Sequence, residues 1–403
     1  MSTKFKNHFK KPDADEPRQF TKKVEILAEI NSIDGSQWRL CLHPLEYRRD
    51  MNPDLDQLLE NSNGNPFFNP AFLAASRDRV TRNKIYQLIV WEVIGEKAYA
   101  RLTLPTQHIS GTLLFPEYFQ SLTHPFAPFG DPLFAKGDES NTLSRFLDLI
   151  AIAFANDFPP LIMDYVSAAS PINQLALAKN RHFGLESIEL GKRASINGPR
   201  SEKSNGLMSK KRKRELNRLL KKLRENGLVT FEKVTAPIDI ILRFEEFLLL
   251  ETSTWKGKHG TSIHTIKRDA AFARQSVSDL AKDNKCEIFS MRLDNKVLAS
   301  IILFKSAGNY FPWKIAFDTE YSHLSPGSQL MLRLSEDIIA RKDFKSADSL
   351  AIFGNSWMTR LWPDETSFEK MVLAKNDELA LQFAKRLKLY SSAKQTIKKL
   401  LRR

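Results

Sequence analysis

Gly308-Asn-Tyr-Phe-Pro-Trp313-Lys314-Ile-Ala-Phe-Asp318, followed a few residues later by Ser325-Pro326-Gly327-Ser328-Gln329-Leu330-Met331, is the stretch on which the fold turns. Its first part is rich in aromatic and branched residues, as a largely buried strand would be. Its second part reads as a helix start, with a hydroxyl residue at the cap position and proline at the first helical position. Gly327 and Ser328 would leave the first amides of that helix unobstructed. Such a start is a natural seat for phosphate, because unpaired N–H groups and the helix dipole both favour an anion.

The neighbouring segments repeat the alternation of strand and helix. After a helix at 209–226, strands are expected at Leu228–Val234, Glu287–Leu293, Lys296–Phe304 and Ser349–Phe353, with helices at Pro237–Thr252, Ile266–Ala281 and Ser325–Arg341. A last strand is expected at Phe368–Leu373. In the first half, strands are expected at Val24–Ile30, Trp38–Leu42, Lys84–Val93, Lys97–Leu104 and Pro160–Val166, with helices at Pro44–Glu60, Ala71–Ser76 and Thr142–Ala155. Asn65-Pro-Phe-Phe-Asn-Pro70 reads as a rigid aromatic turn, and the three prolines of His124–Pro132 make that segment a loop. Gly191–Asn205, rich in Ser, Asn, Gly and Arg, reads as a linker or exposed loop. The class is α/β (α+β).

With 403 residues, 42% of them apolar, the chain is too long for one ordinary core. The expected organisation is a mobile tail at 1–18, a first domain at 19–205, a second at 206–375, and basic helices at 376–403. Cys41 and Cys286 are too few for a disulfide framework and lie in no metal-binding pattern, so a reducing cytoplasm is the expected compartment. The first ten residues contain no apolar core of a secretory signal. Phe146–Phe158 is the longest apolar run; Asp148 and Asp157 break it, and it is too short to span a bilayer.

The formal charge of +14 is concentrated. Residues 209–224 hold nine Lys or Arg against one Glu, and residues 385–403 hold eight basic residues and no acid, which leaves the remainder at −2. That distribution implies two local basic helices rather than a broad footprint for a long polyanion. Leu216, Leu219, Leu220 and Leu223 form one helical stripe opposite the bases, with Ser209 placed to cap the start and Gly227 the end. The helix is either a grip for nucleic acid or an amphipathic helix packed on a domain seam.

Four segments taken together carry a resemblance: Ser209-Lys-Lys-Arg-Lys-Arg-Glu-Leu, Glu251-Thr-Ser-Thr-Trp255-Lys256-Gly257-Lys-His259-Gly260-Thr261, Trp313–Asp318 and Leu324-Ser-Pro-Gly327. Over about 208–355 the chain resembles the GNAT acyltransferase superfamily, in particular its two-domain FemAB and CelD-like branch. Asn65–Leu73 and His124–Gly130 resemble the first half of that branch. The resemblance implies two GNAT-like domains, each a mixed, mostly antiparallel sheet flanked by helices, the first of them degenerate.

It also implies a chemistry. In that superfamily two adjacent parallel strands splay, and the pantetheine arm of acyl-CoA pairs with the exposed backbone as a false strand would. The wedge implied here is Tyr310–Asp318 against Ser349–Phe353, with the donor's diphosphate on the amides of Gly327, Ser328 and Gln329 beside Ser325. The loop departs from the usual R/Q-x-x-G-x-G/A pattern, having one glycine and a proline, which leaves room for a donor other than CoA. An attacking amine has to lose a proton, and Asp318 at the strand end and Glu251 beside the Trp255 loop are the candidate bases. Each is equally a structural carboxylate. Trp255, Lys256, His259, Trp313 and Lys314 are candidates for lining the acceptor cleft, although an aromatic is as readily a core residue. No tyrosine lies between Asp348 and Lys388 to protonate a leaving thiolate, and Ser356 is the nearest hydroxyl.

The expected function is transfer of an acyl group, acetyl in the first instance, from acetyl-CoA or another acyl-CoA to an amine or hydroxyl of a sugar or cell-envelope or exopolysaccharide precursor, without a metal. One rival keeps the fold and takes aminoacyl-tRNA as donor, gripped by the 209–224 helix. A second rival is a non-catalytic nucleic-acid or membrane-surface protein, using Leu387, Ile397, Leu400 and Leu401 of the C-terminal basic helix. The chain contains no GxSxG, HExxH, P-loop or GxGxxG, so hydrolase, zincin, NTPase and dinucleotide chemistries lack their minimum parts.

Overall fold

The computed structural model describes residues 24–45, 57–58, 60–79, 84–113, 115–177, 182–198, 207–254, 257, 259–362 and 364–400. The expected tail at 1–18 and most of the expected helix at 44–60 lie outside them. In chain order the strands are β1 (Glu25–Asn31), β2 (Gln37–Pro44), β3 (Lys84–Ile94), β4 (Lys97–Ile109), β5 (Tyr118–Ser121), β6 (Leu133–Phe134), β7 (Leu161–Ser167), β8 (Gly184–Asn197), β9 (Val229–Val234), β10 (Cys286–Leu293), β11 (Lys296–Ser306), β12 (Asn309–Phe317), β13 (Ser346–Asp348) and β14 (Asp364–Ala374). The helices are α1 (Pro70–Arg79), α2 (Glu139–Ala155), α3 (Lys210–Arg224), α4 (Pro237–Ser253), α5 (Lys267–Lys282), α6 (Pro326–Ile339), α7 (Ser356–Thr359) and α8 (Asp377–Leu400).

The chain divides into two compact units, one of Met1–Asn63, Arg82–Leu190 and Phe368–Arg403, the other of Gly64–Thr81 and Gly191–Ser367. The division falls within β8 and β14, and the segment at 64–81 counts with the second unit rather than with the first half of the sequence. Gly191–Asn197 is strand, not linker, and Ser349–Phe353 is irregular chain, the strand having ended at Asp348. One long helix, α8, comes after β14.

In the first unit the strands run β1-β2-β3-β4-β5-β7-β14, with β6 paired to β4. The β5–β7 pair is parallel and holds only at Phe119↔Leu161 and Gln120↔Ile162. The chain's own loop fills the space past those pairs. Gly130 N donates to Tyr165 O at 2.9 Å, and Asp131 accepts from Ser167 N at 2.6 Å and from Ser167 Oγ at 2.5 Å. Gly130 is required there, since a Cβ would collide with the Asp164 carbonyl oxygen. On α8, Leu387 packs against the cluster of Ile162, Val372, Phe383 and Ala384, so it is turned inward rather than toward a lipid surface.

In the second unit the order is β8-β13-β12-β11-β10-β9. Alternate residues of β10 and β11 (Phe289, Met291, Leu293; Ala299, Ile301, Leu303) join Leu216, Leu219 and Leu223 of α3 and Leu330, Leu334 and Ile338 of α6 in one core. Ser209 caps α3, its side chain accepting from Arg212 N at 3.2 Å. The α3 leucine stripe is therefore a packing face. Residues of the other parity meet α1 and α5: Phe72 lies edge-on to Phe272 at 5.3 Å and to Phe304 at 6.1 Å, and Phe67 meets Phe311 at 6.0 Å. The aromatic turn before α1 is set by Asn65, which accepts from Phe67 N at 3.0 Å, and by Asn69, which accepts from Ala71 N at 2.8 Å.

Candidate functional site

Two parallel strands of the second unit part company. β12 and β13 pair only at Asn309↔Ser346 and Tyr310↔Ala347. β13 then ends, while β12 runs on to Phe317, so among the described residues the β12 edge from Phe311 onward has no strand beside it on that side. On its other side β12 pairs with β11, where the register jumps from Ile302↔Lys314 to Leu303↔Pro312 and leaves Trp313 as an extra residue. A bulge of this kind bends a strand and raises its twist, and proline has no N–H to contribute to a ladder. The wedge thus lies along β12, as expected, but its other wall is chain after β13 rather than strand.

α6 starts at the open end of the wedge. Pro326 takes the first helical position, whereas Ser325 sits at φ 53 in the left-handed region and makes no side-chain cap. The expectation of a capping hydroxyl is corrected accordingly. Among the described residues the amides of Gly327 and Ser328 donate to no acceptor, while Gln329 N is used by Ser325 O at 3.1 Å. Gln329 Nε2 donates to Leu324 O at 2.7 Å, so that side chain secures the turn. A Cβ on Gly327 would stand 3.2 Å from Phe317 Cδ1, which explains a small residue at the joint. Ser328 Oγ accepts from Trp357 Nε1 at 2.9 Å and from Arg212 Nη2 at 3.4 Å. Arg212 of α3 therefore adds a guanidinium to two unpaired amides. Neither it nor Trp357 was singled out from sequence; the basic run and the tryptophan were visible, but not their convergence on one serine.

The candidate bases differ in surroundings. Asp318 stands at the end of β12; one oxygen accepts from Glu320 N at 3.0 Å, and the other is 2.8 Å from Lys296 Nζ. The Asp318 and Glu320 carboxylates hold the pKa of the Lys296 ammonium well above its ordinary value. Glu251 is buried near the end of α4, and its Oε2 accepts from Ile263 N at 2.8 Å, tying the helix end to the turn before α5. Trp313 is core: it stacks on Phe304 at 4.7 Å and meets Phe272 edge-on. The Lys314 ammonium lies 5.6 Å from the Trp313 ring centroid. His259 is exposed, and Trp255 and Lys256 lie outside the described residues, as does the side chain of Ser356. The structure thus brings together Gly327 and Ser328 with Arg212 and Trp357, while Asp318 is turned to Lys296 and Glu320 and Glu251 belongs to the α4–α5 turn.

Among the described residues no three His, Cys, Asp or Glu side chains gather as a metal site requires, and no helix is long and apolar enough to cross a membrane.

Residues 210–355, the segment that carries the wedge, match the family described as acetyltransferase (GNAT) domain. The second unit therefore carries an acyltransferase domain. A crystal structure of FemX is similar to the chain with a TM-score of 0.53 at 11% identity, covering 84% of this chain and 99% of that one. The tandem GNAT protein from the clavulanic acid biosynthesis pathway has a TM-score of 0.40 at 11% identity, covering 83% and 98%. L-PGS from Bacillus licheniformis has 0.47 at 11% identity, covering 83% and 96%. The likeness to FemX is one of fold. No curated protein matches the chain.

Proposed function

We propose that the second unit transfers an acyl group from acyl-CoA to an amine or hydroxyl of a small-molecule or glycan-precursor acceptor. The observation that carries this reading is the parted β12–β13 pair opening onto two unpaired amides and a guanidinium. An amide-bearing arm can lie along the bare edge of β12 as an added strand. The diphosphate at the end of such an arm needs N–H donors and positive charge, which Gly327, Ser328 and Arg212 supply. In the reaction the acceptor lone pair attacks the thioester carbonyl, the C–S bond breaks, and the sulfur leaves as thiolate. The acceptor's proton passes to a base, for which Asp318 at the end of β12 is the candidate, and the thiolate is finally protonated from solvent or the acceptor side.

A second reading takes aminoacyl-tRNA as donor. It is favoured by α3, whose Lys210, Lys211, Lys213, Arg214, Arg218, Lys221, Lys222 and Arg224 are all exposed on the helix that brings Arg212 to the same seat. Calorimetric titration with acetyl-CoA, alone and against charged tRNA, separates the two. Acetyl-CoA is expected to bind, and Arg212→Ala to weaken it about 10- to 100-fold, the scale of one charge-assisted hydrogen bond. Asp318→Asn is expected to lower kcat far more than donor affinity. Failure of acetyl-CoA to bind, with charged tRNA binding instead, transfers the site to the second reading.

A further inference from the structure

Parallel strands that pair at one end tend to zip along their length unless other partners take their amides, because unpaired backbone groups beside a core are costly. After Asp348 the chain finds those partners on β8. Ser349 N donates to Ala194 O at 3.1 Å, and Gly354 N donates to Lys192 O at 3.2 Å. Between these bonds lies an ion pair removed from solvent: Arg193, 2% exposed, holds Nε 2.9 Å from Asp348 Oδ1 and 3.0 Å from Oδ2. Asp348 Oδ1 also accepts from Leu350 N at 2.7 Å, and Leu350 sits at φ 51, a conformation unfavourable for a branched side chain. The Phe353 ring lies 5.7 Å from the Arg193 guanidinium, over Gly191, where a Cβ would come within 3.0 Å of Phe353 Cβ.

We propose that this buried pair, roofed by Phe353, holds the wedge open. Arg193 and Asp348 are positioning residues: they commit 349–354 to β8 and so leave the β12 edge from Phe311 to Phe317 bare for the donor. A charge pair suits the task better than apolar contacts, because moving the Asp348 carboxylate off β8 would strand a guanidinium away from water. Leu350 in its unfavourable conformation shows that the strap is held against local preference rather than by it. The inference rests on the acyl-transfer reading above for its consequence, though not for its test.

Asp348→Asn keeps an acceptor for Leu350 N and removes the charge; Phe353→Leu removes the roof and leaves both charges. Amide hydrogen exchange at 313–317 is the first measurement and needs no substrate. Slowed exchange in Asp348→Asn is expected, as 349–353 closes onto β12, with the same direction and a smaller change in Phe353→Leu. The second measurement is steady-state kinetics with the acyl donor, where Asp348→Asn is expected to raise KM about tenfold or more while kcat changes less than about threefold. Wild-type exchange at 313–317 in both variants, with only a lower melting temperature, overturns the proposal. If Asp348→Asn does not fold, the exchange of Phe353→Leu decides alone. A wild-type protein that turns over no acyl donor overturns the acyl-transfer reading, and the exchange result then still judges the pair.

Discussion

Glu287 and Arg341 carry a buried contact that sets part of the protein's acid stability. Glu287 receives Arg341 Nη2 at 2.6 Å and Lys305 Nζ at 2.8 Å. Burial by itself would raise its pKa, but the bonds from Arg341 and Lys305 outweigh burial and hold the pKa below the ordinary value. A carboxyl that is more acidic folded than unfolded contributes stability above its unfolded value, about 4.3, and that contribution is lost as pH falls through the folded value. Glu287→Gln is therefore expected to lower stability at neutral pH by about 3–5 kcal/mol and to flatten the acid limb, which urea melts at several pH values will measure. The sequence showed this glutamate only as a charge at a strand end. Gly327 and Asp318 were legible because local spacing placed them, one at a helix start and the other at a strand end. Arg193 and Asp348 were not, since 155 residues separate two partners that only the fold brings together.

Among the elements, α3 and β8 show what local pattern can and cannot carry. The leucine spacing of α3 gave its helix and its buried face, and Ser209 caps its start as expected, whereas its end is capped by Glu225 rather than Gly227. Leu223, fully buried, is expected to lose about 2–5 kcal/mol of stability on change to alanine, whereas Lys221→Ala on the exposed face should fall within about 0.5 kcal/mol. Thermal melts of the two variants check this, and equal effects would mean that the stripe does not pack as described. β8 failed to read as a strand because its buried polar residues, Arg193 and Ser195, are answered from far away. Arg193 is paired by Asp348, Ser195 Oγ accepts from Thr366 Oγ1 at 3.0 Å, and Gly191 makes room for Phe353. A strand whose polarity is satisfied by distant partners has the composition of a loop. The shift of β13 to 346–348 has a related cause: the apolar run at 349–353 that suggested a strand spends its backbone bonds on β8 as irregular chain.

For the whole molecule, each unit contains a parallel pair that holds at two positions only, and the space beyond the pair is treated differently in each. In the first unit the loop through Gly130 and Asp131 bonds to β7 and occupies the gap. In the second the gap along β12 is bare among the described residues. Titration should therefore saturate at about one acyl-CoA per chain, with a value near two overturning the distinction between the units. The mixture of sheet and helix was legible from alternation; the filling of the first gap was not, because three prolines mark a loop without saying where it lies.

The placement of α1 in the second unit ties that unit's completion to the order of synthesis. Phe67 and Phe72 leave the ribosome long before Phe272, Phe304 and Phe311 have been made, yet those later rings are the ones that shelter them. Until then the early rings are an unburied apolar tongue, the kind of surface that holdase chaperones and quality-control proteases grip. A gene fragment starting after Leu190 would yield a half lacking the Phe67 and Phe72 side of its aromatic core, and is expected to be less stable than the same half within the whole chain.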